Sequence, residues 1–240
     1  MRHGVSFIHR FEPGTGADAR PLLLLHGTGG NEDDLLPIGR MVAPHSPLLS
    51  PRGKVLEGGM PRFFRRLAEG VFDEEDVRRR AVELSDFVAE AREAYGIAAP
   101  FALGYSNGAN IAAAVLLLRP DVLAGAILLR AMVPLSHEPQ ADLTGKPVLI
   151  LSGARDPIIP VANAEGLASM LKQACAAVEH RTLPVGHELS QSDITFARTW
   201  LEKEAVATHP ARTKQARTGW QVTEVTSAGM PESGACGQQA

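Results

Sequence analysis

The sequence predicts an α/β architecture: a mainly parallel sheet with helices on both faces. Three observations carry this reading. The short apolar runs "RPLLLLHG", "FALGY", "LAGAILLRA" and "PVLILSG" have the unbroken hydrophobicity of strands covered on both sides. Helical patterns of 12 or more residues lie between several of them. The chain of 240 residues, 45% of them hydrophobic, suits one large core.

In chain order, Val5, Phe7 and Phe11 mark a candidate edge strand, and "RPLLLLHG" follows as a buried one. The segment "SPRGKVLEGGMPRFFRRLAEGVFDEEDV" reads as a loop with a hinge at Gly58-Gly59. Its apolar residues Met60, Phe63 and Phe64 sit beside Arg62, Arg65 and Arg66. They are either aromatics tucked into the core or, with Gly29, part of a substrate pocket as an acyl wall or partial lid. From Asp73 to Tyr95, Val77, Ala81, Leu84, Val88 and Ala91 step by three and four residues along one helix face. Acidic residues suit its first turn, and Gly96 ends it. A second helix runs from Asn107 to Arg119 and stops at Pro120. Strands at Leu123–Ala131, Pro147–Gly153 and "EHRTLP" alternate with helices at Ala162–Ala176 and Leu189–Lys203. One domain therefore spans 1–204. Residues 205–240, rich in Thr, Ala, Gly, Ser and Gln, read as a disordered tail with a weak strand signal at Trp220–Val225.

A formal charge of −3 and the lack of a Lys/Arg stripe argue against nucleic acid or an anionic membrane as partner. Cys175 and Cys236 show no metal or disulfide spacing, which favours a reducing compartment. The first residues lack the apolar core of a signal peptide, and no apolar run is long enough to span a bilayer. A cytoplasmic location is expected.

The chemistry is expected at "FALGYSNGAN". Ser106 follows a strand candidate and opens a helix, the setting of a strained strand-to-helix turn that exposes a nucleophile. Gly104 and Gly108 remove side chains that would clash there. The N–H of Asn107, at the helix start, has no intrahelical partner and can bind an oxyanion. A serine also needs a base and a group to orient it. Asp156, in "SGARDPIIP", and His187, in "LPVGHELS", follow in the expected order at the ends of strand candidates. Asp142, Asp193 and Glu188 are the alternative acids. In "HGTGG" the Thr28 N–H is the expected second oxyanion donor, with Gly29 as alternative, and His26 is assigned a structural role under the loop. No metal or cofactor is expected.

Together "LLLLHGTGGNEDDL", "GYSNGAN", "SGARDPIIP" and "GHEL" resemble the phospholipase/carboxylesterase family of small α/β-hydrolases, which includes the acyl-protein thioesterases. The arginine-rich segment resembles the bacterial carboxylesterase branch, some members of which are associated with hydroquinone-linked ring-cleavage dioxygenases. The resemblance runs from about Arg20 to Lys203. It implies an α/β-hydrolase fold without a large lid, with Ser106 as nucleophile, His187 as base, Asp156 as orienting acid, and Thr28 and Asn107 as oxyanion donors. Many members form homodimers. The expected substrate is a small-molecule carboxylic ester with a short to medium acyl chain. Thioester or lysophospholipid hydrolysis is the runner-up; a non-catalytic binding protein of the same fold is disfavoured because no triad member is missing. "HGTGGNE" lacks the leucine that follows His-Gly in the thioesterases, which argues against long protein-bound acyl groups.

Overall fold

The computed structural model describes residues 6–16, 19–136 and 141–208. The elements in order are β1 (His9–Glu12), β2 (Leu22–Leu25), α1 (Leu36–Val42), β3 (Leu48–Pro51), β4 (Val55–Glu57), β5 (Met60–Arg62), β6 (Arg66–Ala68) and β7 (Val71–Phe72). Then come α2 (Glu74–Tyr95), β8 (Phe101–Tyr105), α3 (Asn107–Leu118), β9 (Gly125–Leu129), β10 (Pro147–Gly153), α4 (Val161–Gln173), β11 (Ala177–Leu183) and α5 (Gln191–Thr208). Seven strands form one sheet in the order β1-β3-β2-β8-β9-β10-β11. Only the β1–β3 pairing is antiparallel. The fold is that of an α/β-hydrolase.

The unbroken apolar runs divide between the two faces with the strand period of two. Leu23 and Leu25 of β2, Ala102 of β8, Leu128 of β9 and Ile150 of β10 face one core, shared with residues of α2, α3 and α4 such as Val77, Ile111 and Leu167. Leu22 and Leu24, Leu103, Ile127 and Leu149 face the other, shared with Leu36 of α1 and Trp200 of α5. A strand buried on both faces has no polar position to spare. Each such leucine contributes about 1.5–3 kcal/mol by leaving water.

The long helix begins where expected, with the Asp73 carboxylate accepting the Asp76 N–H, and ends at Gly96 in the left-handed region (φ 65°). The strands at Phe101 and Pro147 match their apolar runs. The last helix reaches Thr208, beyond the expected domain end. Val5, Trp220–Val225 and the rest of the expected tail lie outside the described residues. Among the described residues no helix is long and apolar enough to cross a membrane.

The segment from Ser50 to Val77 differs from the expectation. It folds as two hairpins, β4–β5 and β6–β7. Gly58 (φ 58°) and Gly59 (φ 84°) are the turn of the first hairpin and not a hinge. Phe63 and Phe64, expected in the substrate pocket, are core residues. After β5 the chain is drawn inward by the Asn107 side-chain oxygen, which accepts the Phe63 N–H at 2.7 Å. The Phe63 ring packs on His26 and the Phe64 ring meets Phe72 edge-on, with centroids at 4.7 and 5.0 Å. Phe64 is 0% exposed. Phe64→Ala should therefore cost about 3–5 kcal/mol of stability, as for a large core truncation. Urea denaturation measures it, and a loss below about 1 kcal/mol would return Phe64 to the surface.

Candidate active site

Four strand ends meet at the site. Ser106 follows β8 directly, with φ 52° and ψ −113°, a backbone conformation strained for a residue with a side chain. Its N–H donates to Leu129 O at 2.8 Å, which ties the turn to β9. A Cβ on Gly104 would lie 2.5 Å from Gly108 O, and one on Gly108 would lie 2.0 Å from Leu25 O. Both positions are closed to any side chain by backbone, so the two glycines around Ser106 are demanded by packing.

Asp156, in the loop after β10, and His187, in the loop after β11, reach the same point. His187 Nε2 lies 3.1 Å from Ser106 Oγ, and His187 Nδ1 lies 2.8 Å from Asp156 Oδ2. The Asp156 side chain is 1% exposed. Its other oxygen accepts the N–H groups of Ile158 and Ile159 at 2.8 and 3.0 Å, so the carboxylate is fixed on both sides. The alternative acids are placed elsewhere: Asp142 accepts the Thr144 N–H, Asp193 is paired with Arg130, and Glu188 lines a separate cleft beside Tyr105. An imidazole fixed by a buried carboxylate and meeting a hydroxyl can draw a proton from that hydroxyl and return it to a leaving group.

The loop after β2 supplies the opposite wall. Gly29 N–H donates to Pro61 O at 2.9 Å and is thereby occupied. The N–H groups of Thr28 and Asn107 donate to no acceptor among the described residues. His26 is buried beneath the loop. Its Nε2 accepts the Gly53 N–H at 3.0 Å, so Nδ1 carries the proton and donates to Gly27 O at 2.6 Å. Burial lowers its pKa below the ordinary 6.5, which keeps the ring neutral in this bridging tautomer.

A family model described as Phospholipase/Carboxylesterase matches residues 10–205. The chain belongs to this family. It is a hydrolase, and its relatives agree. It is 48% identical over 200 residues to the "Putative hydrolase MhqD" of Bacillus subtilis (strain 168), covering 82% of this chain and 98% of that one. A carboxylesterase from Bacillus cereus superposes with a TM-score of 0.81 at 46% identity, over 83% of this chain and 95% of that one. YahD, solved with malic acid, gives 0.78 at 32% identity, over 82% and 98%.

In this member of the family, Thr28 borders two spaces. A narrow cavity of about 50 Å³ lies against Ser106, Asn107 and Asn110, walled by Phe72, Met132, Ile158 and Ile159 and by the basic side chains of Arg62 and Arg66. A wider cleft of about 440 Å³ runs past Gly27, Ile38, Tyr105, Glu188 and Leu189. Of the expected pocket residues, the exposed Met60 lies over Gly29, where a Cβ would meet its sulfur at 3.6 Å. Sequence reasoning passed over Met132, Ile158 and Ile159, which carry only apolar character, and gave Arg62 and Arg66 no role.

It also missed Arg130. This residue follows β9 with φ 54° and is 0% exposed at its side chain. Its guanidinium forms a two-pronged pair with Asp193, both contacts at 2.8 Å. The same group donates to Gly186 O at 2.9 Å and Glu188 O at 3.1 Å, the carbonyls on either side of His187. Tyr105 Oη donates to the carbonyl of His187 itself at 3.2 Å. The ring is thus aimed at Ser106 by a clamp on three consecutive carbonyls. The only sequence signal was a charged residue at the end of an apolar strand, "ILLRA".

Breaking this pair singly should be severe: Asp193→Asn or Arg130→Met leaves an uncompensated buried group and should cost about 3–5 kcal/mol. The double variant Arg130→Met/Asp193→Leu should recover much of that stability yet hydrolyse slowly, because the carbonyls lose their clamp. Urea melts and esterase rates on the same samples separate the two effects. A double variant with wild-type kcat would show that the clamp does not position His187.

Proposed function

We propose that this hydrolase is a serine carboxylesterase for esters of small acyl groups, acting through Ser106, His187 and Asp156. The observation that carries it is the continuous Asp156–His187–Ser106 hydrogen-bond chain at a strained turn, facing two unpaired backbone N–H groups. In the first half-reaction Ser106 Oγ attacks the ester carbonyl carbon while its proton passes to His187 Nε2. The negative charge that develops on the carbonyl oxygen is met by the Thr28 and Asn107 N–H groups. Donors fixed in advance need no rearrangement, and one such donor is worth about 10²–10³ in rate. His187 then gives its proton to the departing alcohol. Asp156, accepting from Nδ1, keeps the ring in the tautomer that leaves Nε2 unprotonated and stabilises the imidazolium as it forms. In the second half-reaction water loses a proton to His187, attacks the acyl-enzyme and frees Ser106.

The two spaces divide the substrate. The alcohol must leave on the His187 side, because His187 protonates it. Tyr105, which touches His187, and Glu188 and Leu189, which follow it in the chain, line the wide cleft, and the alcohol is assigned to it. The acyl group is left with the narrow cavity, which has room for roughly four water-sized groups. A buried methylene contributes about 0.8 kcal/mol only while it has a wall to touch. Rates should therefore rise over the first few acyl carbons and fall for long chains, which disfavours the thioesterase and lysophospholipase readings. The carboxylesterase from Bacillus cereus at 46% identity supports the ester reading, and the malic acid seen with YahD supports a small polar substrate.

A fluorophosphonate probe should label Ser106 and no other residue, as read by peptide mass spectrometry. Ser106→Ala should lower kcat by up to about 10⁶-fold. Asp156→Asn should fold normally and lose about 10⁴-fold through the wrong imidazole tautomer. Labelling of another serine, or a wild-type rate in Asp156→Asn, would dismiss the assignment.

A further inference from the structure

Two arginines occupy the acyl side of the site, and the reaction as described uses neither. Arg62 is 3% exposed, an unusual place for a guanidinium, and it lines the narrow cavity together with Arg66. Its Nη1 donates to the Thr28 side-chain oxygen at 2.7 Å and its Nε to Phe64 O at 3.2 Å. The group therefore stands one side chain away from the backbone N–H that receives the ester carbonyl oxygen. Its Nη2 has no hydrogen-bond partner among the described residues. The available counter-charge is shared: Glu57 lies 3.2 Å from Arg62 Nε and 2.8 Å from Arg66 Nε, so two cations divide one carboxylate. Glu69 also lines the cavity, but it is exposed and its charge is screened by water. Burial pulls the Arg62 pKa below its usual value, a sign that the cation is poorly solvated where it sits.

A poorly solvated arginine fork beside a cavity of a few atoms' volume fits a planar anion, which it can bind through two parallel N–H groups. We propose that Arg62 and Arg66 form a subsite for a carboxylate on the acyl part of the substrate, so that the preferred substrates are half-esters of short dicarboxylic acids. This deepens the carboxylesterase reading and rests on it. A neutral alkyl group reaching the two cations keeps its apolar contacts but desolvates the guanidinium groups without pairing them, whereas a carboxylate completes their coordination. Arg62 then serves two ends: through Thr28 it holds the oxyanion loop, and through its open side it selects the acyl group.

The test is a matched pair of esters. Monoethyl succinate and ethyl 4-methylpentanoate have nearly the same shape, a carboxylate in one replacing an isopropyl group in the other. Followed by release of ethanol at low salt, kcat/KM should favour the succinate ester at least tenfold, and added salt should erode the preference. Arg66→Met and Arg62→Met should each lower the ratio of the two rates at least fivefold. Arg66→Met, which does not touch Thr28, guards against a simple collapse of the oxyanion loop. Equal or better hydrolysis of the branched neutral ester by the wild type would overturn the subsite while leaving the esterase intact. Calorimetric binding of free succinate against 4-methylpentanoate needs no turnover and separates the two claims. Tenfold tighter succinate binding, lost in Arg66→Met, supports the subsite even if both esters are inert and Ser106 escapes the fluorophosphonate; equal binding of the two acids overturns it.

Discussion

At the end of β8 the backbone passes so close to its neighbours that a single methyl group at position 108 would lie 2.0 Å from the carbonyl oxygen of Leu25. The rest of the site depends on that approach. With α3 pressed against the end of β2, the turn between β8 and α3 must close within one residue, and Ser106 is driven to φ 52°. Such a conformation costs about 1–3 kcal/mol and persists only where the surroundings over-determine it. Here they do so through Ser106 N–H on β9, the close contact at Gly104, and an α3 face buried along its length. The turn raises the hydroxyl toward His187, and the same geometry leaves the Asn107 N–H unpaired beside it.

The second constraint is the buried charge of Arg130. A buried ion pair is weak evidence for stability, because desolvation offsets most of the attraction. This one is better understood as a fixture. Five hydrogen bonds spread the guanidinium over Asp193 and the carbonyls of Leu151, Gly186 and Glu188, and so join β10, the His187 loop and the start of α5. Two loops carry the imidazole and its carboxylate, and loops are the least rigid part of such a fold. Arg130 and Tyr105 hold one of them; the N–H groups of Ile158 and Ile159 hold the other around Asp156.

The sheet and the Asp156–His187–Ser106 constellation were legible because they rest on local rules. Runs buried on both faces announce strands, and a serine flanked by glycines at a strand-to-helix junction announces a tight turn. Elements that depend on distant partners were not. β3 has no helix-period or alternating signal and forms because Leu48 and Leu49 find β2. The aromatic pair Phe63 and Phe64 could serve a wall or a core equally well; a bond from the Phe63 N–H to the side-chain oxygen of Asn107, 44 residues away, decides for the core. Arg130 and Asp193 lie 63 residues apart, and neither predicts the other. Arg62 is one of three arginines beside Phe63 and Phe64 with nothing local to set it apart, and only the fold brings it to Thr28.

The central claim is that Ser106 becomes acylated, so that every ester of one acid passes through the same intermediate. Partitioning measures this directly. In water containing methanol, the ratio of methyl ester to free acid formed from ethyl, phenyl and p-nitrophenyl acetates should be the same for all three, because the leaving alcohol has gone before the choice is made. A ratio that changes with the leaving group would mean direct attack on the ester by a water or alcohol held at His187, and it would contradict the account.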